Sequence, residues 1–223
     1  MRQNTYRKHR DTPLSKDTLF LDQIPVGAYR NFSYLVADLS TMNAVLFDPA
    51  WETESLLSRI NDGKLHLDYI VNTHAHFDHI QGNPEIKRRT GAKIIMNESS
   101  LAMKDLGVSD DDVLSISSSL TLRFIHTPGH SPESMCIQVN DRALITGDTL
   151  FIGECGRTDL PGGDSNALYD SFEKLRGLKP SLVIYPGHDY GKAKSATLDE
   201  ELKSNYTLAK RTREEFIAFM STP

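Results

Sequence analysis

The segment Thr73-His74-Ala75-His76-Phe77-Asp78-His79 places three imidazoles and a carboxylate within six positions. Groups of this kind at this density repel one another on protonation and are hard to satisfy when buried, unless a cation holds them together. The segment reads as a metal site, and a metal site dictates how the chain around it folds. Asp68-Tyr69-Ile70-Val71 is a short apolar, β-prone run, so the histidines follow the C-terminal end of a buried strand. Alternate residues of an extended or looping backbone point the same way. His74 and His76 then face one cation, while Asp78 and His79, beyond a bend, face another. The helical HExxH pattern, with histidines four apart, is absent. The competing reading, a polar loop that holds histidines by chance, gives no reason for such a cluster.

Three further positions repeat the context. His130 closes His126-Thr127-Pro128-Gly129-His130 after an expected strand from Leu120 to Ile125, and the Pro-Gly pair supplies a sharp turn. Asp148 follows Ala143-Leu144-Ile145 in Thr146-Gly147-Asp148, and His188 follows Leu182-Val183-Ile184 in Tyr185-Pro186-Gly187-His188. Each is a strand, a glycine and one ligand-type residue. Taken singly, such an aspartate is ordinarily a turn residue and such a histidine a satisfied core residue. The repetition argues for convergence on one site.

A chain of 223 residues with 39% hydrophobic content can bury a full core and falls near single-domain size. The expected organisation is a flexible basic tail over residues 1–16 and one catalytic domain over 17–223. The tail carries Arg2, Arg7, Lys8 and Arg10 without the apolar stretch of a secretory signal, and Asp11 argues against a transit peptide. A net charge of −5 gives no general attraction to nucleic acid or to an anionic membrane. No apolar run approaches the ~18 residues that span a bilayer. The cysteines, Cys136 and Cys155, have neither CxxC spacing nor a disulfide framework, so a reducing, cytoplasmic setting is expected. His66 and His126 lack the ligand context and read as structural; His9 lies in the tail.

Strands are expected at Leu19 to Ile24, Phe32 to Ala37 and Ala44 to Phe47, broken by Gly27, Asn31 and Ser40-Thr41. Helices are expected at Thr53 to Asn61, Pro84 to Thr90, Asn166 to Leu175 with Asp164 as N-cap, and Ser195 to Phe219 with a break. Thr197-Leu198-Asp199-Glu200 has the form of a capping box inside the last. This mixture suits an α+β, four-layer αβ/βα sandwich: two mixed sheets meet and helices cover both outer faces.

The ordered set of HxHxDH, a lone His, a lone Asp and a final His resembles the metallo-β-lactamase superfamily, and all seven positions match between about residues 18 and 190. The resemblance implies that His74, His76 and His130 form one metal site and Asp78, His79 and His188 the other. Asp148 then bridges two divalent cations, zinc, iron or both, and Asp78 and Asp148 are the carboxylates of most direct catalytic weight. The segments Gly147-Asp148-Thr149-Leu150-Phe151, Cys155-Gly156-Arg157-Thr158-Asp159 and Tyr185-Pro186-Gly187-His188-Asp189-Tyr190-Gly191 resemble the glyoxalase II and persulfide dioxygenase branch. Both groups act on glutathione conjugates, which implies a small thiol-derived substrate; a homo-oligomer is left open.

By this resemblance the expected activity is thioester hydrolysis by a metal-held hydroxide. Residues 189–223 make a shorter C-terminal region than the helical one that supplies a typical glyoxalase II with glutathione-binding basic residues, so a smaller or different thioester is also in view. The alternative is a persulfide dioxygenase, in which His74, His130 and Asp148 hold one Fe(II). That group usually has alanine before the final histidine, where this chain has Gly187. Arg157 either engages a substrate carboxylate or pairs with Asp159. Tyr190 is a candidate hydrogen-bonding partner for a ligand, and Asp189 a candidate partner that orients an imidazole.

Overall fold

The computed structural model describes residues 18–221. The basic stretch read as a tail, Met1 to Lys16, lies outside them. Strands β1 (Leu19–Val26), β2 (Asn31–Asp38) and β3 (Asn43–Phe47) form an antiparallel meander. After helix α1 (Thr53–Asp62) the chain returns as β4 (His66–Val71), parallel to β3. A one-turn helix α2 (Phe77–Ile80) and α3 (Asn83–Thr90) lead to β5 (Lys93–Asn97) and β6 (Leu106–Val108), both parallel additions. The six strands lie in sequence order.

The second sheet contains β7 (Val113–Ser115), β8 (Thr121–His126), β9 (Met135–Val139) and β10 (Ala143–Gly147). They are joined, beyond helix α4 (Ser165–Arg176), by β13 (Val183–Pro186) and β14 (Ala196–Thr197), in the order β14-β13-β10-β9-β8-β7. A small hairpin of β11 (Leu150–Phe151) and β12 (Glu154–Cys155) follows β10. Helices α5 (Leu198–Ser204) and α6 (Arg213–Met220) complete the described chain.

Side-chain alternation decides the layering. In β2 the residues Phe32, Tyr34 and Val36 join Val45, Val71, Phe124, Ile137 and Ile145 in a core between the sheets. Their neighbours Leu35 and Ala37 face outward onto Leu56, Leu57, Ile60 and Ile86 of α1 and α3. Every residue of β2 is therefore buried, as expected for a strand covered on both faces. On the other side Leu144, Ile184 and Cys136 pack against Leu168, Phe172 and Leu175 of α4 and Phe216 of α6. The result is the α+β, four-layer sandwich expected from the sequence.

The expected C-terminal helix is divided more deeply than one break. Ala196 and Thr197 pair with β13 as a strand, and Thr197 then caps α5 through the capping box with Glu200. Asn205 ends α5 in extended backbone and turns its Oδ1 to the Thr207 amide, 3.0 Å away, which starts a short 3-10 turn at Tyr206–Leu208. Thr212 caps α6 afresh. Asp164 caps α4, accepting from Asn166 N at 2.8 Å and Ala167 N at 3.2 Å.

Candidate metal centre

The seven residues singled out in the sequence meet at one end of the sandwich, each delivered by a strand that has just ended. Val71 closes β4 and releases Asn72 to His79; β8 leads to His130, β10 to Asp148 and β13 to His188. Glycines make the approach close. Gly147 adopts φ +49 against Thr73, and a Cβ on Gly187 meets Asp148 Oδ1 and the His79 ring.

Their ring nitrogens face one another. His76 Nδ1 lies 3.1 Å from His74 Nε2 and 2.9 Å from His130 Nε2; His79 Nε2 lies 3.3 Å from His188 Nε2. Asp148 sits among both groups, with Oδ1 3.3 Å from His79 Nε2 and Oδ2 3.2 Å from His188 Nε2 and 3.6 Å from His130 Nε2. Asp78 Oδ2 is 3.5 Å from His188 Nε2. Among the described residues three donor sets have spacing that could hold a cation: His74, His76 and His130; His74, His79 and Asp148; and Asp78, His79 and His188.

The outward ring atoms reveal which tautomers are present. His130 Nδ1 faces the Arg157 carbonyl at 2.8 Å and His188 Nδ1 the Tyr29 carbonyl at 2.9 Å. A carbonyl only accepts, so both Nδ1 atoms carry hydrogen and both Nε2 atoms are bare when the ring is neutral. His79 Nδ1 donates to Asp48 Oδ2 at 3.0 Å. Thr73 Oγ1 spends its hydrogen on Asp48 Oδ2 at 2.7 Å and so accepts from His74 Nδ1 at 3.1 Å. Four lone pairs thus point inward at van der Waals distance or closer. Such an array is repulsive unless positive charge lies among the rings. Two nitrogens ~2.0–2.1 Å from one tetrahedral cation sit ~3.3 Å apart, close to the spacing found here. Asp148 Oδ1 and Asn31 Oδ1 are buried without a hydrogen-bond partner. The residues fit a metal.

Protonation compensates in the metal-free protein. Burial pushes the His79 imidazole down, but the carboxylates of Asp148 and Asp48 outweigh it and lift it to about 9. Burial and the neighbouring His79 hold His74 well below its ordinary value. Burial alone raises the Asp148 carboxyl; His79, His188 and His74 more than reverse this and hold it well below the usual carboxylate range. A cation that takes the His79 nitrogen must therefore displace a proton.

A cavity of about 510 Å³ opens onto the cluster, lined among others by Tyr29, Phe77, Phe151, Arg157 and Tyr190. Of the two roles open to Arg157, the pair with Asp159 is present, with two contacts of 2.5 Å on the surface. Its backbone carbonyl, which orients His130, is the closer link to the site. Tyr190 stacks on His188 with centroids 4.7 Å apart. Asp189 does not orient His188: the Tyr29 carbonyl does. Cys155 lines the cavity, but burial and then Glu154 push its thiol up to about 12. His66 lies on the surface beside Asp68 and His126 bonds the Pro132 carbonyl, both away from the cluster.

Two residues escaped the sequence reading. Asp48, in left-handed backbone at φ +46, binds Thr73 N at 2.8 Å as well as His79 and Thr73 Oγ1. Asn31, which itself pairs with His188 in an isolated bridge, donates to the Asp78 carbonyl at 3.0 Å and to Asp78 Oδ2 at 3.2 Å. The only sequence signal was a polar residue at a strand end.

The sequence model of the metallo-beta-lactamase superfamily matches residues 26–188, which contain every donor above. The chain belongs to the metallo-beta-lactamase superfamily. It is 38% identical over 179 residues to a hydroxyacylglutathione hydrolase from a Polaromonas strain, covering 77% of this chain and 67% of that one. It is 36% identical over 193 residues to the human mitochondrial persulfide dioxygenase ETHE1, covering 85% and 75%. The crystal structure of ETHE1 from Myxococcus xanthus superposes with a TM-score of 0.85 at 31% identity, covering 91% of this chain and 90% of that one. Within the superfamily, then, relatives of similar identity carry names of two different chemistries.

Proposed function

We propose that this chain is a metal-dependent hydrolase of the glyoxalase II type, which cleaves a thioester of a small thiol such as glutathione. The observation that carries the reading is the position of Asp148, whose two oxygens face histidines of two separate donor sets. His74, His76 and His130 would hold one cation and Asp78, His79 and His188 the other, with Asp148 shared. When bound, the cations supply Lewis acidity toward a carbonyl and a water acidic enough to ionise near neutral pH.

The chain's own residues do the rest. Carbonyls of Arg157 and Tyr29 and the Asp48 carboxylate keep the rings in the tautomer that presents Nε2. Asn31 pins Asp78 by its backbone and its carboxylate, so Asp78 enters the site in one rotamer. Glu133 Oε1 accepts from Ala75 N at 3.0 Å and fixes the loop between His74 and His76. The apolar part of the cavity wall, with Tyr29, Phe77, Phe151, Leu160 and Tyr190, restricts water around the scissile bond.

A second reading is a mononuclear Fe(II) persulfide dioxygenase using His74, His130 and Asp148, favoured by the likeness to ETHE1 proteins along most of the chain. Against it stands the compact set of Asp78, His79 and His188, which that reading leaves without a metal. Metal analysis of anaerobically purified protein, paired with two assays, tests the choice. Near two metals per chain with hydrolysis of glutathione thioesters supports the hydrolase. A single iron with oxygen uptake on glutathione persulfide overturns it.

A further inference from the structure

Phe77 lies in sequence between two residues of the donor sets, His76 and Asp78, yet its side chain is 59% exposed. Tyr29, whose carbonyl orients His188, is 55% exposed. Both line the cavity. Large aromatic rings are seldom left open beside a buried charged cluster without an apolar group to receive. The two rings pack edge to face with centroids 6.0 Å apart, and Trp51 stands behind both, 5.7 Å from Tyr29 and 6.2 Å from Phe77.

The wall is built rather than loose. The turn that carries Tyr29 is tied to the loop that carries Trp51: Gly27 N donates to Glu52 Oε2 at 2.8 Å. Gly27 adopts φ +65 with its open face on the indole, where a Cβ has no room. Phe77 is fixed from the other side as the first residue of α2, held by the bonds of Gln81 N to its carbonyl and of His79 N to the carbonyl of His76. Three rings from three segments therefore present one rigid apolar surface at the edge of the donor cluster. Aromatic rings recognise best what they can stack on or bury.

We propose that Tyr29, Phe77 and Trp51 form the specificity wall of this site, selecting a substrate whose group beside the scissile bond is apolar and of about phenyl size. The identity of that bond as a thioester rests on the hydrolase reading above; the wall itself does not. A short polar acyl group leaves the rings wet, whereas an aromatic or branched one covers them. Trp51 also supplies the means of testing the wall, because it is the single tryptophan of the chain.

The experiment is a fluorescence titration of the metal-loaded protein, reading Trp51, with two probe pairs that are not turned over. One pair is 3-phenylpropionate against propionate; the other is S-benzylglutathione against S-methylglutathione. The phenyl member is expected to bind about 10-fold tighter or more, the range in which apolar pockets discriminate. Phe77→Ala and, separately, Tyr29→Ala are expected to shrink that ratio to about 3-fold or less while propionate binding stays unchanged. Tyr29→Ala keeps the carbonyl on His188, so it decides the matter if Phe77→Ala also weakens propionate. Equal binding within both pairs, or a phenyl preference untouched by either variant, overturns the wall. A preference in the carboxylate pair alone upholds the wall and counts against glutathione as the thiol.

Discussion

Asp38 and Asp148 are both almost fully buried carboxylates at opposite ends of the same sandwich, and their surroundings differ in kind. Asp38 Oδ1 accepts from Ser40 N at 2.9 Å and Ser40 Oγ at 2.7 Å, and Oδ2 accepts from Ser117 Oγ at 2.6 Å and Ser119 Oγ at 2.5 Å. Neutral donors satisfy it completely and stitch the two sheets together. Asp148 has histidines on both sides and one oxygen without a hydrogen bond. The first arrangement is complete as it stands. The second is complete only with added positive charge, and on the reading proposed above that difference separates the structural end of the fold from the end that does chemistry.

The sharpest way to break this contrast is to remove each carboxylate. Asp148→Ala is expected to abolish stoichiometric metal binding and to lower kcat/KM by about 10³-fold or more, the weight of several kcal/mol of electrostatic stabilisation. Elemental analysis and steady-state kinetics on one preparation check both at once. A fully metallated, active variant would return Asp148 to the same class as Asp38. Asp48→Asn comes next. It keeps the shape but takes the charged acceptor from His79 Nδ1 and Thr73, so metal affinity or activity should fall by about 10 to 100-fold. A competition titration against a chelator measures it.

At the other end Asp38→Ala should leave metal content and activity per bound metal untouched. It takes the shared acceptor from three hydroxyls and an amide, with Ser40 and Ser119 open to water, and the expected cost is about 2 kcal/mol of unfolding free energy, read from urea melts. If activity fell as far as stability, the two ends would be coupled through β2, which carries Asn31 at the site and Asp38 at its far terminus.

How much of this was visible in the sequence follows from the kind of signal each part leaves. The donors were legible because His and Asp are costly to bury together, so their recurrence after strands has one economical explanation. The buried strands β2 to β4 were legible by hydrophobicity. Asp48, Asn31 and Asp38 were not: each is one polar residue at a strand end, indistinguishable from a turn residue until the fold brings its distant partners alongside. The Tyr29 carbonyl that replaces Asp189 as the partner of His188 was beyond reach, since every residue carries a carbonyl. Short edge strands such as β6 and β7, three residues each, fall below the length at which alternation can be read.

The smallest expected effect belongs to Ser117→Ala, and its pH dependence sharpens the contrast most finely. Burial alone raises the Asp38 carboxyl; the hydroxyls of Ser117, Ser119 and Ser40 outweigh it and hold the group well below the usual carboxylate range. A depressed folded value means that the stabilisation is fully present above the unfolded value of ~3.9 and is lost as the pH falls toward the folded one. Removing one hydroxyl brings the folded value back up. The variant should therefore be less stable than the wild type by about 1 kcal/mol at pH 7. The unfolded value is common to both chains and cancels, so the gap should persist down to the variant's folded value, below the usual carboxylate range, and close only as the pH falls from there to the still lower folded value of the wild type. Urea melts of the chelator-treated proteins at pH 7 and pH 4 check the size and constancy of the gap, with the site histidines common to both chains and so cancelling in the difference. A gap absent at both values would mean that the hydroxyls of Ser119 and Ser40 and the Ser40 amide hold the charge on Asp38 without Ser117, whose Oγ also accepts from the Ser119 and Leu120 amides at 3.2 and 3.1 Å.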